Sequence, residues 1–251
     1  RGQIDALVPE EPPFDRAKFL AEGRNDVVVA MRKELDAILN SQLGSPLWSL
    51  AYGLLGYEGF MLFLLQEPEL AAYAGRRFLN NLKPKVQEYA ALGVDAVWIE
   101  ECLTDQISPR LFAEINVPLL QELIREIRNC GMKSIYYYCG NPNDRLDAIL
   151  DIGADAIHLE ERSKGYTIDI ADIVKRTDRR CVVFGNLDPI GVLQNGSDDL
   201  LQSEIKKQLK AGRDHGGRFV MSIGPITPGT SVERIRRYTD LTREFAGKGK
   251  P

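Results

Sequence analysis

From residue 27 onward the chain alternates helical periodicity with short apolar runs, and no other feature of the sequence restricts its fold as much. Such alternation is expected of repeated βα units feeding a parallel sheet, whose strands are covered by helices on one side and by packed side chains on the other. Six strands are predicted in this way: Ala37 to Leu43, Asp95 to Glu101, Lys133 to Cys139, Ala154 to Glu160, Cys181 to Asn186 and Phe219 to Ile223. The intervening segments read as helices. Pro109 to Cys130 sets Leu111, Phe112, Ile115, Leu119, Leu120, Leu123, Ile124 and Ile127 at helical spacing, and Asp198 to Ala211 and Ser231 to Phe245 behave likewise. Ser108-Pro109 and Thr230-Ser231 predict helix starts, where a hydroxyl cap or a first-turn proline suits the unpaired amides. Gly93, Gly131 and Gly153 stand where left-handed helix ends are expected.

Six strands, or seven if Ile4 to Val8 pairs, fall short of the eight of a closed barrel. The expected fold class is therefore α/β, a TIM-type (β/α)8 barrel incomplete at its amino end. It is expected to form one domain over residues 1–251, since 251 residues with 44% hydrophobic content can bury one large core. Residues 1–26, with Pro9, Pro12, Pro13 and several charges, read as a loop-rich leading segment, and a helix is expected to start near Asn25 or Asp26.

The formal net charge is −4, from 32 basic and 36 acidic residues, so no overall positive field draws the chain toward nucleic acid or anionic lipid. A small-molecule substrate or a protein partner is expected instead. Cys102, Cys130, Cys139 and Cys181 are far apart with no CxxC pair, which predicts reduced thiols and a cytoplasmic location. The apolar stretch Leu47 to Leu65 is interrupted by Ser49, Gly53, Gly56, Tyr57, Glu58 and Gly59 and is expected to pack inside protein rather than span a membrane. The sequence begins at Arg1-Gly2-Gln3, with neither an initiator methionine nor the features of a signal peptide, as expected of a processed protein or one seen in part. It carries no GxGxxG or GxxxxGK[ST] motif, so no nucleotide cofactor is expected, and no HExxH or GxSxG.

A series of short motifs then occurs in order: Gly44-Ser45-Pro46-Leu47-Trp48, Gly93-Val94-Asp95-Ala96 with Ile107-Ser108-Pro109, Tyr138-Cys139-Gly140-Asn141, Gly153-Ala154-Asp155-Ala156, Gly185-Asn186-Leu187-Asp188 and Ile226-Thr227-Pro228. Taken together they resemble the uroporphyrinogen decarboxylase superfamily, which also holds zinc methyltransferases that move methyl groups between corrinoids and thiols. The resemblance runs from about residue 30 to the end, and it implies a (β/α)8 barrel whose further part lies at the amino end. Tyr52 corresponds to the tyrosine that the decarboxylases carry after their Gly-x-Pro motif, which implies a catalytic role. Their late histidine falls in Met221-Ser222-Ile223-Gly224, where this chain has none. In the methyltransferase branch the zinc donors are a His-x-Cys pair and a later cysteine; here the pair reads Tyr137-Tyr138-Cys139, and the later position is about Met221 or Ser222. Tyrosine and methionine are poor replacements for imidazole and thiolate on Zn²⁺. The chain looks most like a divergent methyltransferase-like branch.

Chemistry in parallel barrels sits at the carboxyl ends of the strands. On that rule Glu101 and Glu160 are the expected inward carboxylates, at the family's acidic positions, and with Tyr52 they make the candidate catalytic set. Tyr137, Asn141, Asn186 and Asp188 are the candidate substrate-binding residues. Cys139, His158 and Cys102 are the candidate donors of a rebuilt zinc site, against the plainer alternative that Cys139 is a small buried hydrophobe and His158 a core residue. Strand alternation puts Tyr137 and Cys139 on one face, and His158 and Glu160 on one face. Two carboxylates facing each other across a dry pocket would raise one pKa and create a proton donor. Three functions stay open: methyl transfer with a corrinoid protein or small thiol, decarboxylation of uroporphyrinogen, and non-catalytic binding of a corrinoid or tetrapyrrole. Homodimerisation, common in the decarboxylase branch, is what the resemblance implies for assembly.

Overall fold

The computed structural model describes residues 1–161 and 166–247, the side chain of Tyr52 excepted. These residues group into two compact units, the first formed by residues 1–139 and 144–155, the second by 140–143 and the chain from 156 onward.

In the first unit three short helices come first: α1 (Gly2–Leu7), α2 (Arg16–Ala21) and α3 (Asp26–Glu34). They are followed by β1 (Asn40–Gly44), α4 (Pro46–Leu50), a π-helical turn (Ala51–Leu55), α5 (Gly56–Gln66), α6 (Pro68–Leu92), β2 (Ala96–Cys102), α7 (Pro109–Leu111), a second π-helical turn (Phe112–Asn116), α8 (Val117–Asn129), β3 (Lys133–Cys139) and α9 (Leu146–Asp151). Strands β1, β2 and β3 are parallel neighbours in chain order, with Gly44 opposite Glu100, Glu100 opposite Tyr137 and Cys102 opposite Cys139. α8 follows the predicted periodicity, burying Leu119, Leu120, Leu123, Ile124 and Ile127. Each such side chain removed from water is worth about 1.5 to 3 kcal/mol. Pro118 has no N–H to give and its ring crowds the carbonyl four residues back, which accounts for the wide turn just before it.

The second unit holds β4 (Ala156–Leu159), α10 (Ile170–Thr177), β5 (Val182–Phe184), a π-helical turn (Pro189–Gln194), α11 (Asp198–Asp214), β6 (Phe219–Val220) and α12 (Val232–Phe245). Again β4, β5 and β6 are parallel neighbours in chain order. Its core joins Leu187, Leu193, Leu201, Ile205, Tyr238 and Leu241.

The α/β architecture with parallel strands is therefore present, and the six described strands overlap the six predicted ones, β3 to the residue. The caps agree as well: Ser108 Oγ accepts from the Leu111 amide, Ser231 Oγ from that of Arg234, and Gly93, Gly131 and Gly153 all have positive φ. The leading segment is corrected. Ile4 to Val8 does not pair as a strand; residues 2–7 are helical, and so are residues 16–21, expected to be loop. The reason is tertiary. Arg77 and Asn81 on α6 donate to the carbonyls of Val8 and Pro9, and Tyr73 donates to Asp5 at 2.6 Å, so this segment is tied along α6.

Pro46–Gln66 is long and apolar enough, by length and composition only, to cross a membrane. Here it is divided by the π-helical turn and by Gly56 at φ 67°, and Leu47, Leu50, Phe60 and Leu64 are buried in the first unit while Tyr57, Leu62 and Leu65 face outward.

Candidate functional site

Parallel pairing of β2 with β3 sorts the strand-end residues of the first unit onto two faces, because partners in register point the same way. One face carries Glu100 and Cys102 from β2 with Tyr137 and Cys139 from β3. The Cys102 thiol lies 3.6 Å from Glu100 Oε1, and one donor atom each from Glu100, Cys102 and Cys139 falls within 4.8 Å of the others. Gln42, on β1, donates to the second Glu100 oxygen. Below this row the rings of Trp98 and Tyr137 meet at 5.2 Å, which supplies an apolar floor. Gly44 stands opposite Glu100, and a Cβ there would come within 2.7 Å of the Trp48 indole, so the indole occupies the room that a β1 side chain would take. Glu100 and Cys102 are half-buried and Cys139 is buried. β2 is followed by Leu103, a non-glycine residue at φ 71°, a conformation costing on the order of 1 kcal/mol. The turn that follows is pinned by Arg145, whose guanidinium donates to the carbonyls of Thr104 at 2.6 Å and Ile107 at 3.0 Å.

The opposite face holds Glu101. Its carboxyl has no solvent exposure and accepts from Ser45 Oγ at 2.8 Å, Asn116 Nδ2 at 2.7 Å and Tyr136 Oη at 3.4 Å. Burial outweighs these hydrogen bonds and pushes its pKa up to about 7. Its residues come from the start of α4, the π-helical turn before α8 and β3, so Glu101 belongs to the helix-covered side of the strands. The expectation that Glu101 points inward with Tyr137 and Cys139 is corrected: it pairs in register with Tyr138, and the acidic residue on the Tyr137 and Cys139 face is Glu100. Strand alternation from Cys102 carries that answer, since residues two apart share a face, whereas the family's acidic position pointed to its neighbour. Nothing in the sequence pattern singles out Gln42.

In the second unit His158 is 3% exposed, its ring 5.8 Å from that of Phe184, and burial pushes its pKa down to about 4, so the imidazole is neutral. The donors that converge in the first unit are Glu100, Cys102 and Cys139; His158 has its own surroundings in the other unit. Glu160 follows β4, with Tyr166 Oη at 3.5 Å and its backbone carbonyl accepting from Asn186. Asn186, on the turn after β5, donates to the Ile168 carbonyl at 3.1 Å and neighbours Gln208, which directs it toward α11. Asp188 caps the following turn, accepting from Ile190 and Gly191 at 2.8 and 2.7 Å. Both line a hollow of about 290 Å³ with Asp169, Lys207 and Gln208. Asn141 accepts from the Asn143 amide at 3.1 Å, closing a loop. Tyr52 lies in the π-helical turn after α4, and its side chain lies outside the described residues.

The zinc donor set implied by the methyltransferase branch does not fit this chain. Tyr137 stands at the imidazole position and is packed against Trp98.

Comparison with known proteins bears on what these groups serve. Residues 3–245 match the sequence model described as uroporphyrinogen decarboxylase (URO-D). The chain is 24% identical over 252 residues to uroporphyrinogen decarboxylase 2, chloroplastic, of Arabidopsis thaliana, a match that covers 97% of this chain and 60% of the relative. It is 26% identical over 247 residues to the uroporphyrinogen decarboxylase of Prochlorococcus marinus (strain NATL1A), covering 94% and 66%. The chain thus spans about 60% of the length of the first of these relatives. Among solved structures it is similar to a methyltransferase from Methanosarcina mazei, with a TM-score of 0.75 at 20% identity, covering 88% of this chain and 63% of that one. That likeness shows a shared fold.

Proposed function

The chain belongs to the uroporphyrinogen decarboxylase family, and from that premise we propose that it is an enzyme of the methyltransferase-like branch, passing a methyl group to or from a corrinoid protein or a small thiol. The observation that carries this reading is the row of Cys102 and Cys139 beside the Glu100 carboxylate, at the carboxyl ends of β2 and β3. Methyl transfer to sulfur needs a thiolate, a place for its proton and a pocket that tolerates the methyl group. Glu100 already receives the Cys102 S–H contact and is held by Gln42, so it is the base nearest a thiol bound in this row. In the displacement, the sulfur lone pair forms the new C–S bond, the leaving group departs with the electron pair of the broken bond, and the thiol proton passes to Glu100. The Trp98 and Tyr137 rings offer an apolar surface for the methyl carrier.

Decarboxylation of uroporphyrinogen is the second reading, favoured by the curated relatives, which are uroporphyrinogen decarboxylases. Against it, Met221, Ser222, Ile223 and Gly224 occupy the stretch where the resemblance puts the decarboxylases' late histidine.

The test is to incubate the purified protein with methylcobalamin and a panel of small thiols, following loss of the cobalt–carbon absorbance and the methylated thiol by mass spectrometry. Turnover is expected, reduced by about 100-fold or more in Glu100→Gln. Absence of methyl transfer together with conversion of uroporphyrinogen to coproporphyrinogen would replace this reading by the second one.

A further inference from the structure

We propose that Glu100, Cys102 and Cys139 form a carboxylate–dithiolate site for a thiophilic divalent cation such as Zn²⁺, a donor set that shares only Cys139 with the one the family resemblance implies. The purpose of such a site rests on the methyl-transfer reading, in which Glu100 is the base in the metal-free protein and a bound cation would itself favour the thiolate; its existence does not.

The argument is geometric. Cys102 and Cys139 are register partners on adjacent parallel strands, and Glu100 stands two residues before Cys102 on the same face. A tetrahedral Zn²⁺ with sulfur at about 2.3 Å and oxygen at about 2.0 Å requires donor separations of roughly 3.5 to 3.8 Å. The Glu100 Oε1 to Cys102 Sγ distance is 3.6 Å, already at that spacing, and all three donors lie within 4.8 Å of one another. Side-chain rotation of a fraction of an ångström to about one ångström per donor closes the remaining gap.

The chemistry agrees with the geometry. Two thiolates select soft or borderline cations over Mg²⁺ and Ca²⁺, and a carboxylate completes a three-donor set. Three protein donors leave a fourth position open, as in sites that receive a substrate atom. Glu100 and Cys102 are partly exposed, so that position is reachable. Gln42, donating to the Glu100 oxygen that does not face Cys102, acts as the outer partner that fixes a ligand's orientation. All three donors and Gln42 stand on strands rather than loops, which limits their wander.

The experiment uses the full chain, reduced and stripped with a chelator. Zn²⁺ binding is measured by equilibrium dialysis with elemental analysis, and Co²⁺ by its thiolate charge-transfer and tetrahedral ligand-field bands. One equivalent per chain is expected, lost in Cys102→Ser and in Cys139→Ser, weakened at least about tenfold in Glu100→Gln and unchanged in Cys130→Ser. Should the cysteine variants not fold, alkylation of the wild-type protein decides: Zn²⁺ should shield Cys102 and Cys139 from iodoacetamide while Cys130 reacts at its former rate. Absence of binding, binding that survives both cysteine variants, loss of binding on His158→Ala, or shielding that spares Cys102 would each overturn the proposal. No methyl donor enters these measurements, so failure of methyl transfer and failure of the metal site are separate results.

Discussion

Glu100 and Glu101 are consecutive in sequence, yet the two faces of the β2–β3 pair treat them in opposite ways. Glu100 is half-buried, shares its face with two thiols and is held by one glutamine. Glu101 is enclosed and held by a serine, an asparagine and a tyrosine. One face leaves its polar groups partly open to solvent, whereas the other joins strand to helix. The difference shows how little residue type alone says about surroundings, since parity in the strand decides which carboxylate is left beside the thiols and which is enclosed as a fastener.

That contrast can be broken most severely at the enclosed residue. Glu101→Ala removes the acceptor of three hydrogen bonds and leaves Ser45 and Asn116 without it, so it should destabilise the protein by about 4 kcal/mol in urea denaturation at pH 5. The next effect is in pH dependence. Glu101 has its pKa raised from 4.5 to about 7 by burial, so the folded state holds a proton that the unfolded chain releases. The associated stability is fully present below pH 4.5 and is lost as pH rises through about 7, amounting to roughly 3 kcal/mol across that window. Hydrogen-exchange protection of β2 and β3 amides should fall over this range, and Glu101→Gln should flatten the curve; an unchanged slope in that variant would place the proton elsewhere. Smaller again is Ser45→Ala, which deletes both a cap of α4 and a donor to Glu101, with an expected loss of about 2 kcal/mol. Smallest is Glu100→Gln, whose stability should stay within about 0.5 kcal/mol of wild type while the alkylation rate of Cys102 changes. A large destabilisation there would erase the distinction between the two faces.

Much of the architecture is legible in the sequence. Lys133 to Cys139 is apolar, bounded by Gly131 and Gly140, and folds as predicted because both its faces are covered and its ends are punctuated. The leading segment was not readable, since its helices depend on Arg77 and Asn81, some seventy residues away, and local sequence carries no trace of those partners. The site was legible in part. Cys102, Cys139 and Tyr137 are candidates from their strand-end positions and do share a face. The family's acidic position points to Glu101 and not Glu100, and Ala96 to Ile99 are apolar at both parities, so no polar alternation in the strand corrects it and only the spacing from Cys102 distinguishes the two. Asp188 is a candidate from its position at a strand end, but its carboxylate is committed to the backbone of the next turn, a local preference that competes with any outward role.

The bare backbone at Gly44 means that the wall beside Glu100 is furnished by Trp48, borrowed from a helix, and not by the sheet itself. Shape on that side is thus uncoupled from strand pairing: trimming the indole would widen the approach to the carboxylate, while adding a side chain at 44 would collide with it. The width of the space beside Glu100 is therefore set by the residue at position 48 alone, with the scaffold left as it is.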